Sequence, residues 1–265
     1  MKNLKISIVT VCYNAVETIE KTILSVINQT YLNIEYIIID GASKDGTIDI
    51  INKYRDSIAY FVSESDKGIY DAMNKAILVA TGKWVVFMNA GDLFCDDKVV
   101  ENVVENIDES ATFIYGNTIC DFSGIKVARS PLPLESIKNS MPFSHQSVFI
   151  NTTYHKRNLY DTSYKIAADY NFFYHAYLLG KKFQYIPLNI SIYEAEDGLS
   201  SRMYMLLCVE CARVNGKANT FMWSVNLYLQ VFWHNIKNIV KPLLPHNILK
   251  FMYNFRFNNL DKQTM

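Results

Sequence analysis

The chain has 265 residues with 26 basic and 26 acidic side chains, a net charge of zero. This allows one large domain plus an appendage and speaks against a nucleic-acid partner, which demands a basic surplus. The charge is unevenly spread: residues 211–265 hold Arg213, Lys217, Lys237, Lys241, Lys250, Arg256 and Lys262 against the single acid Asp261, a net +6, so residues 1–210 carry −6.

Residues 6–11 are apolar and β-branched and predict a buried strand. Asn14, with Glu17 three residues on, fits a helix start with a cap and a reach-back acid. Val16, Ile19, Ile23, Val26 and Ile27 then recur at helical spacing. Residues 35–40 predict a second strand that ends in the carboxylate of Asp40. A turn-rich loop, 41–47, leads into a helix carrying Ile48, Ile51 and Tyr54. Residues 58–63 predict a third strand, followed by Glu64, Asp66, Lys67 and Gly68. Residues 70–80 predict a helix closed by Gly82. Residues 84–88 form a fourth apolar strand that runs straight into Asn89, Ala90, Gly91 and Asp92.

Strands alternating with helices imply right-handed βαβ crossovers and a parallel, covered sheet. Asn14, Asp40, Asp66, Asn89 and Asp92 all follow strand ends, so they gather at one sheet edge, where open α/β sheets bind ligands. Acids gathered there repel one another unless a cation or donor groups lie between them. Neither a dinucleotide fingerprint nor a P-loop occurs.

Beyond Asp92, residues 98–107 predict a helix and 112–115 a strand. Residues 117–130 suggest a hairpin around Ser123 and Gly124. His145 and Gln146 stand just before an apolar strand that ends at Ile150. Residues 164–168 lead to Asp169 and a helix over 170–180, for which Asp169 alone would also serve as a cap. Residues 183–186 and 190–193 read as two strands, and 194–201 as a polar loop. Cys208 and Cys211 form a lone C-x-x-C on a helical pattern and read as buried helix cysteines, with zinc as the lesser alternative. Five scattered cysteines and no signal-peptide pattern imply free thiols in a cytoplasmic protein.

From Ala218 to Ile236 an amphipathic helix is expected. Asn226, Gln230, His234 and Lys237 form its polar stripe; Phe221, Val225, Leu229, Phe232 and Ile236 lie opposite. Pro242 and Pro245 end it, and residues 246–257 are aromatic and basic. The pattern suits an interfacial membrane contact or a helix packed on the core.

Taken together, several motifs resemble family 2 glycosyltransferases of the GT-A fold, most strongly bacterial members that build surface polysaccharides. They are Ser7-Ile-Val-Thr-Val-Cys-Tyr-Asn14, Gln29-Thr30-Tyr31, Ile38-Ile-Asp40-Gly-Ala-Ser-Lys-Asp-Gly-Thr47, Ser63-Glu-Ser-Asp66-Lys-Gly-Ile-Tyr70-Asp71-Ala-Met-Asn74-Lys75, Thr81-Gly82, Phe87-Met-Asn89-Ala-Gly-Asp92, His145-Gln146 and Ile166-Ala-Ala-Asp169. The resemblance covers roughly residues 4–200. It implies an α/β fold with a Rossmann-like, mostly parallel central sheet flanked by helices: a catalytic domain over 1–200 and a helical, basic and aromatic extension over 201–265.

The resemblance also implies roles. Asp40 would contact the base and ribose of a nucleotide-sugar, in a pocket lined by Thr10, Tyr13 and Asn14. Asp66 would sit near the base, with Asp71 and Lys75 beneath the diphosphate. Asn89 to Asp92 takes the place of the family's D-x-D metal motif, with Asp92 the acid that remains to hold Mg²⁺ or Mn²⁺. His145 and Gln146 would face the reaction centre, and Asp169 would be the general base. Ala168 stands where the family carries the first acid of its E-D pair. The implied enzyme moves a sugar, with inversion, from a UDP-sugar to a hydroxyl of a glycan or polyprenol-linked acceptor, at the inner face of the membrane. The alternatives are a catalytically inactive scaffold and a nucleotidyltransferase; for the latter the Gly-rich basic loop after the first strand is missing.

Overall fold

We describe a computed structural model covering residues 3–122, 124–195, 198–218, 221–245, 247–249 and 251–253. The elements run β1 (Ile6–Cys12), α1 (Ile19–Ile27), β2 (Ile34–Asp40), α2 (Thr47–Lys53), β3 (Tyr60–Ser63), α3 (Ile69–Val79), β4 (Trp84–Phe87), β5 (Leu93–Phe94) and α4 (Val99–Asn106). They continue as β6 (Phe113–Phe122), β7 (Ile125–Arg129), β8 (Val148–Asn151), α5 (Thr152–Arg157), α6 (Ala168–Leu178), β9 (Phe183–Glu194), α7 (Leu199–Arg202), α8 (Tyr204–Val214) and α9 (Phe221–Val240).

One sheet organises the molecule, in the order β3-β2-β1-β4-β8-β6-β9-β5 with β7 hung on β6. The alternating first half of the chain gives the expected parallel block: β1 pairs in parallel with β2 and β4, and β2 with β3. From there the sheet is mixed, because β8 enters antiparallel to both β4 and β6. The two strands expected over 183–193 are a single strand, β9, which runs parallel to β6 and absorbs a register shift opposite residues 115–118. Ser123, Glu196 and Asp197, read as parts of a hairpin turn and a polar loop, lie outside the described residues.

Both sheet faces are covered, so the central strands are apolar throughout rather than alternating. Val9, Val11, Ile37, Ile39, Val85 and Phe87 pack on one side with α3 and α6. Ile6, Ile8, Ile38, Trp84, Val86 and Met88 pack on the other with α1 and α4. Two local expectations change. Asn14 does not cap α1: Thr18 is the N-cap residue, without a side-chain cap bond, and Asn14 is engaged elsewhere. Gly82 is not a left-handed helix end either. A Cβ there would stand 2.6 Å from the Ser7 backbone nitrogen and 2.8 Å from the Lys5 carbonyl, so it is glycine because β1 passes against it.

At the far end, α9 packs on α8 through the face holding Leu227, where the His234 ring stacks on Tyr204 at 4.2 Å. His234, expected on the polar outer stripe, therefore faces inward. Val225, Tyr228, Leu229, Phe232 and Trp233 are exposed. Among the described residues no helix is long and apolar enough to cross a membrane. His246, Lys250 and residues 254–265, with Arg256 and Lys262, lie outside the described residues. The described cysteines, Cys208 and Cys211 included, are free thiols, and these two are half-buried.

Candidate active site

The loops after β1 and β2 are stitched together. The Asn14 side chain accepts the backbone N–H of Lys44 at 3.0 Å, and the Asn14 N–H donates to Ser43 Oγ at 2.8 Å. Asn14 (φ 47) and Ala42 (φ 64) are both left-handed. Asparagine tolerates that conformation; alanine pays about 1 kcal/mol for it, a strain that collects at functional loops.

Asp40 supplies the compensation. Its carboxylate has no exposed surface, and it accepts the Ser43 N–H at 2.9 Å and the Ser63 hydroxyl at 2.6 Å, with the Ser43 hydroxyl and the Cys12 thiol on its other oxygen. Its oxygens, expected to meet a base or ribose, organise the loop between β2 and α2. Burial, with Asp40 alongside, pushes the Cys12 thiol far up, so it stays protonated. Thr10, whose backbone is expected to line the same pocket, has its side chain anchored nearby. It lies within β1, fully buried, with its hydroxyl donating to the Met88 carbonyl at 2.7 Å.

What faces outward is Tyr13, 65% exposed, with Asp66 close by. Gly41 sits between them. A Cβ on it would lie 2.6 Å from Asp66 Oδ2 and 3.3 Å from the Tyr13 ring, so a larger residue would push the Asp66 carboxylate away from the Tyr13 ring. Asp66 is steadied by the Gly68 N–H at 2.8 Å. Asp71 and Lys75, expected beneath the diphosphate, are engaged with the 64–68 loop. Lys75 pairs with Glu64 at 2.9 Å and donates to the Ser65 carbonyl at 3.1 Å, while Asp71 accepts the Lys67 N–H at 3.0 Å. The bond to Glu64 raises the Lys75 pKa further. Both residues shape the 64–68 loop that presents Asp66.

The turn after β4 is built from the backbone outward. Gly91 (φ 102) lets the chain reverse, its N–H donates to Thr22 Oγ1 at 2.9 Å, and the Asp92 N–H closes on the Asn89 carbonyl at 2.8 Å. Because β8 runs antiparallel to β4, the segment entering β8 meets the segment leaving β4. That places the turn His145–Ser147 against Asn89 and Asp92. Gln146 Nε2 donates to Asp92 Oδ1 at 3.2 Å, and Asn89 Nδ2 lies 3.1 Å from His145 Nε2. An amide NH₂ can only donate, so His145 Nε2 is the acceptor and its proton sits on Nδ1. Nδ1 lies 3.4 Å from Asp169 Oδ2.

Asp169 stands in the first turn of α6, not at its cap: Ala167 is the cap residue. Its Oδ1 accepts the Tyr70 hydroxyl at 3.0 Å and the Tyr170 N–H at 2.8 Å. Among the described residues, His145 stands before Oδ2. A chain of contacts thus runs from Tyr70 through Asp169 and His145 to Asn89, with Gln146 joining Asp92 alongside.

The electrostatics fit a site completed by ligands. Burial pushes the Asp92 carboxyl up to about 7, more than the Gln146 bond lowers it. Burial also lowers the His145 pKa, which nearby Asp169 only partly opposes, so His145 is neutral at pH 7. Asn89 Oδ1 is buried without a hydrogen-bond partner. A buried acid short of positive charge and an orphaned amide oxygen in one turn are the oxygen donors a hard divalent cation takes. Among the described residues no group of three or more His, Cys, Asp or Glu could hold a metal by itself, so phosphate oxygens or water must complete such a site.

Residues 7–179 match Glycosyl transferase family 2. The chain belongs to that family. This family 2 glycosyltransferase is 31% identical over 181 residues to an uncharacterized glycosyltransferase of Mycobacterium tuberculosis, Rv1514c, covering 66% of this chain and 69% of the relative. It is 37% identical over 113 residues to WfaP of Escherichia coli, whose name gives it as a UDP-Glc:alpha-D-GlcNAc-diphosphoundecaprenol beta-1,3-glucosyltransferase. That match covers 42% of this chain and 45% of WfaP, so the chain spans less than half of that relative.

Among solved structures, the mannosyltransferase PcManGT of Pyrobaculum calidifontis, in complex with GDP-Man and Mn²⁺, is similar with a TM-score of 0.65 at 14% identity, over 100% of this chain and 84% of that one. S. aureus TarS 1-349 in complex with UDP-GlcNAc is similar with a TM-score of 0.62 at 19% identity, over 80% of this chain and 66% of that one, so the chain spans just under two thirds of that fragment. At these identities the likeness is one of fold, and the fold is GT-A. The glycosyltransferase assignment sets the nucleotidyltransferase aside.

Two residues escaped the sequence. Tyr70 reads as a core position at the start of α3, and nothing in the spacing shows that its hydroxyl reaches a residue 99 positions later. Glu210 sits between two cysteines on a helix read for its thiols. Asn74 belongs to a quoted motif but faces inward. Its amide clamps the Tyr160 backbone on both sides at 2.9 Å, supporting the aromatic layer under Tyr70.

Proposed function

We propose that this glycosyltransferase moves a sugar, with inversion, from a UDP-sugar to a hydroxyl of a glycan or polyprenol-linked acceptor in cell-surface polysaccharide synthesis. The observation that carries the proposal is the placement of Asp169 Oδ2. It is a carboxylate oxygen with no hydrogen bond among the described residues, 3.4 Å from a neutral histidine that in turn touches the turn holding Asp92. In this reading Oδ2 takes the proton of the attacking acceptor hydroxyl. The new glycosidic C–O bond forms as the anomeric carbon–phosphate oxygen bond breaks, and the nucleoside diphosphate leaves with the electron pair. The partners of the Asp169 carboxylate are Tyr70, Tyr170 and His145, with no second carboxylate among them, which suits a single displacement rather than a covalent intermediate.

The nucleoside would lie on the exposed Tyr13 face, with Asn14 and Asp66 at its edge. Asp92 and Asn89 would hold Mg²⁺ or Mn²⁺, whose charge would offset that of the departing diphosphate. Gln146 orients Asp92. The UDP-Glc in the name of WfaP and the UDP-GlcNAc bound to TarS support a UDP-sugar, and the Mn²⁺ bound to PcManGT supports the metal. The direct test incubates the protein with UDP-glucose or UDP-GlcNAc, Mn²⁺ and a GlcNAc-diphosphate-lipid acceptor. Free UDP should accumulate with acceptor present; its absence with every donor would favour an inactive scaffold.

In the same reading the protein works at the inner membrane surface, held by α9. The exposed Tyr228, Leu229, Phe232 and Trp233, beside Lys237 and Lys241 in a segment of net +6, match an interfacial helix on an anionic bilayer. Replacing Phe232 and Trp233 together with Glu should cut co-sedimentation with phosphatidylglycerol vesicles at least fivefold and leave UDP release in detergent unchanged. Undiminished vesicle binding would reject α9 as the contact.

A further inference from the structure

The base segment is held from outside the family-matched part of the chain. Asp169 lies in the first turn of α6, and the three residues before that helix, Lys165, Ile166 and Ala167, have backbone N–H groups that need acceptors. The N-cap residue, Ala167, has no side-chain acceptor to offer them. Instead, all three N–H groups converge on one carboxylate, that of Glu210 in α8: Lys165 N to Oε1 at 2.9 Å, Ile166 N to Oε2 at 2.9 Å and Ala167 N to Oε2 at 3.0 Å. Glu210 is 7% exposed. A buried carboxylate gripped by three successive backbone donors is a nest, and it fixes the path of that backbone. Nearby contacts lock the same corner: the Arg213 guanidinium lies over the Tyr164 ring at 4.4 Å, and the Asn215 amide reaches the Asn139 carbonyl at 3.2 Å.

We infer that Glu210 is a positioning residue for catalysis, which sets the place of Asp169 through the Lys165–Ala167 backbone. The inference rests on Asp169 being the base. Its logic is geometric. The family-matched residues end at 179, yet the backbone that leads into α6 is held from α8. The path of that backbone sets where the Asp169 carboxylate stands, facing Tyr70 and His145. Residues 201–214 then belong to the working enzyme, and α9, stacked on α8, sits one helix away from the base it serves.

The test uses the full chain with UDP-glucose or UDP-GlcNAc, Mn²⁺ and the GlcNAc-diphosphate-lipid acceptor, whichever donor the wild type turns over. Glu210→Ala removes the nest; Glu210→Gln keeps an acceptor oxygen but sets an NH₂ against one backbone N–H. Glu210→Ala should lower kcat tenfold or more, and Glu210→Gln at least threefold. The dissociation constant for UDP with Mn²⁺ should stay within twofold of wild type in each. Should Glu210→Ala not fold, Glu210→Gln carries the test. Wild-type kcat in Glu210→Gln overturns the inference, as does a fall in kcat matched by an equal fall in the UDP-binding fraction, which is what simple loss of folded protein gives. A wild type that releases no UDP with any donor refutes the enzymatic reading itself, a different result from a Glu210 variant that works normally.

Discussion

Replacing Asp169 with Asn should abolish sugar transfer, by about 10³-fold in kcat, while leaving UDP and Mn²⁺ binding as it was. General-base catalysis by a positioned side chain contributes about 10²- to 10⁴-fold, and here the loss should be in the upper part of that range, because no other carboxylate shares the task. Asn keeps an acceptor oxygen for the Tyr70 hydroxyl and the Tyr170 N–H, so the local fold should survive. What changes is the other side. An NH₂ would face His145 Nδ1–H, donor against donor, and no lone pair would remain to receive the acceptor proton. The proposed nucleotide side, around Tyr13 and Asp66, shares no hydrogen bond with Asp169 among the described residues. Initial rates of UDP release together with calorimetric UDP titration separate the two effects. Activity within tenfold of wild type would place the base elsewhere. Tyr70→Phe is the companion: it removes one hydrogen bond to Oδ1 and leaves the carboxylate, so its kcat should fall far less than that of Asp169→Asn.

The contrast between what the sequence foretold and what it hid follows the physics of distance along the chain. The parallel block β3-β2-β1-β4 was legible because βαβ units are local. Each strand is a short apolar run, each helix has its own period, and handedness fixes where the next strand lands. The positions of Asn89, Asp92 and Asp66 at one edge followed from that alone. The meeting of His145 with Asn89 did not, because it depends on β8 entering antiparallel, a choice that no local pattern in residues 143–150 encodes. The side-chain partners of Asp40 and Thr10 were hidden for a shared reason. Asp40 ends β2 and Thr10 lies within β1, and whether such a side chain turns outward or into the protein is settled by its neighbours. Ser43, Ser63 and Cys12 hold Asp40; Tyr36 and the Met88 carbonyl hold Thr10. The pairing of Lys75 with Glu64 was hidden in the same way. Glu210 is the extreme case, a lone acid on a helix, whose work shows only when the backbone 45 residues earlier is in place.

Replacing Asp92 with Asn should remove metal dependence and, without metal, leave the fold at least as stable as wild type at pH 8. The reason lies in the proton balance of the buried carboxyl. Its folded-state pKa is raised to about 7 by burial, against about 3.9 in an unfolded chain. Between those values the folded protein holds a proton that the unfolded chain has released, so wild-type stability falls as pH rises through that window, and the ionised acid is a liability above it. A divalent cation takes the proton's place. Mn²⁺ should therefore raise the melting temperature of the wild type little at pH 5.5 and strongly at pH 8, and its affinity should drop toward tenfold per pH unit below pH 7. Asn in place of Asp92 still offers an acceptor to Gln146 Nε2 but carries no charge to neutralise. The variant should show no Mn²⁺ shift at either pH, and a kcat/KM at least 10²-fold below wild type. At pH 8 its apo form should equal or exceed the wild type by about 1–2 kcal/mol, a fraction of what the full pKa displacement would give. Thermal melts at two pH values with and without Mn²⁺ decide the matter. A Mn²⁺ shift that persists in Asp92→Asn would move the cation to other residues. A wild-type shift that does not grow with pH would mean that the carboxyl is not where the cation binds.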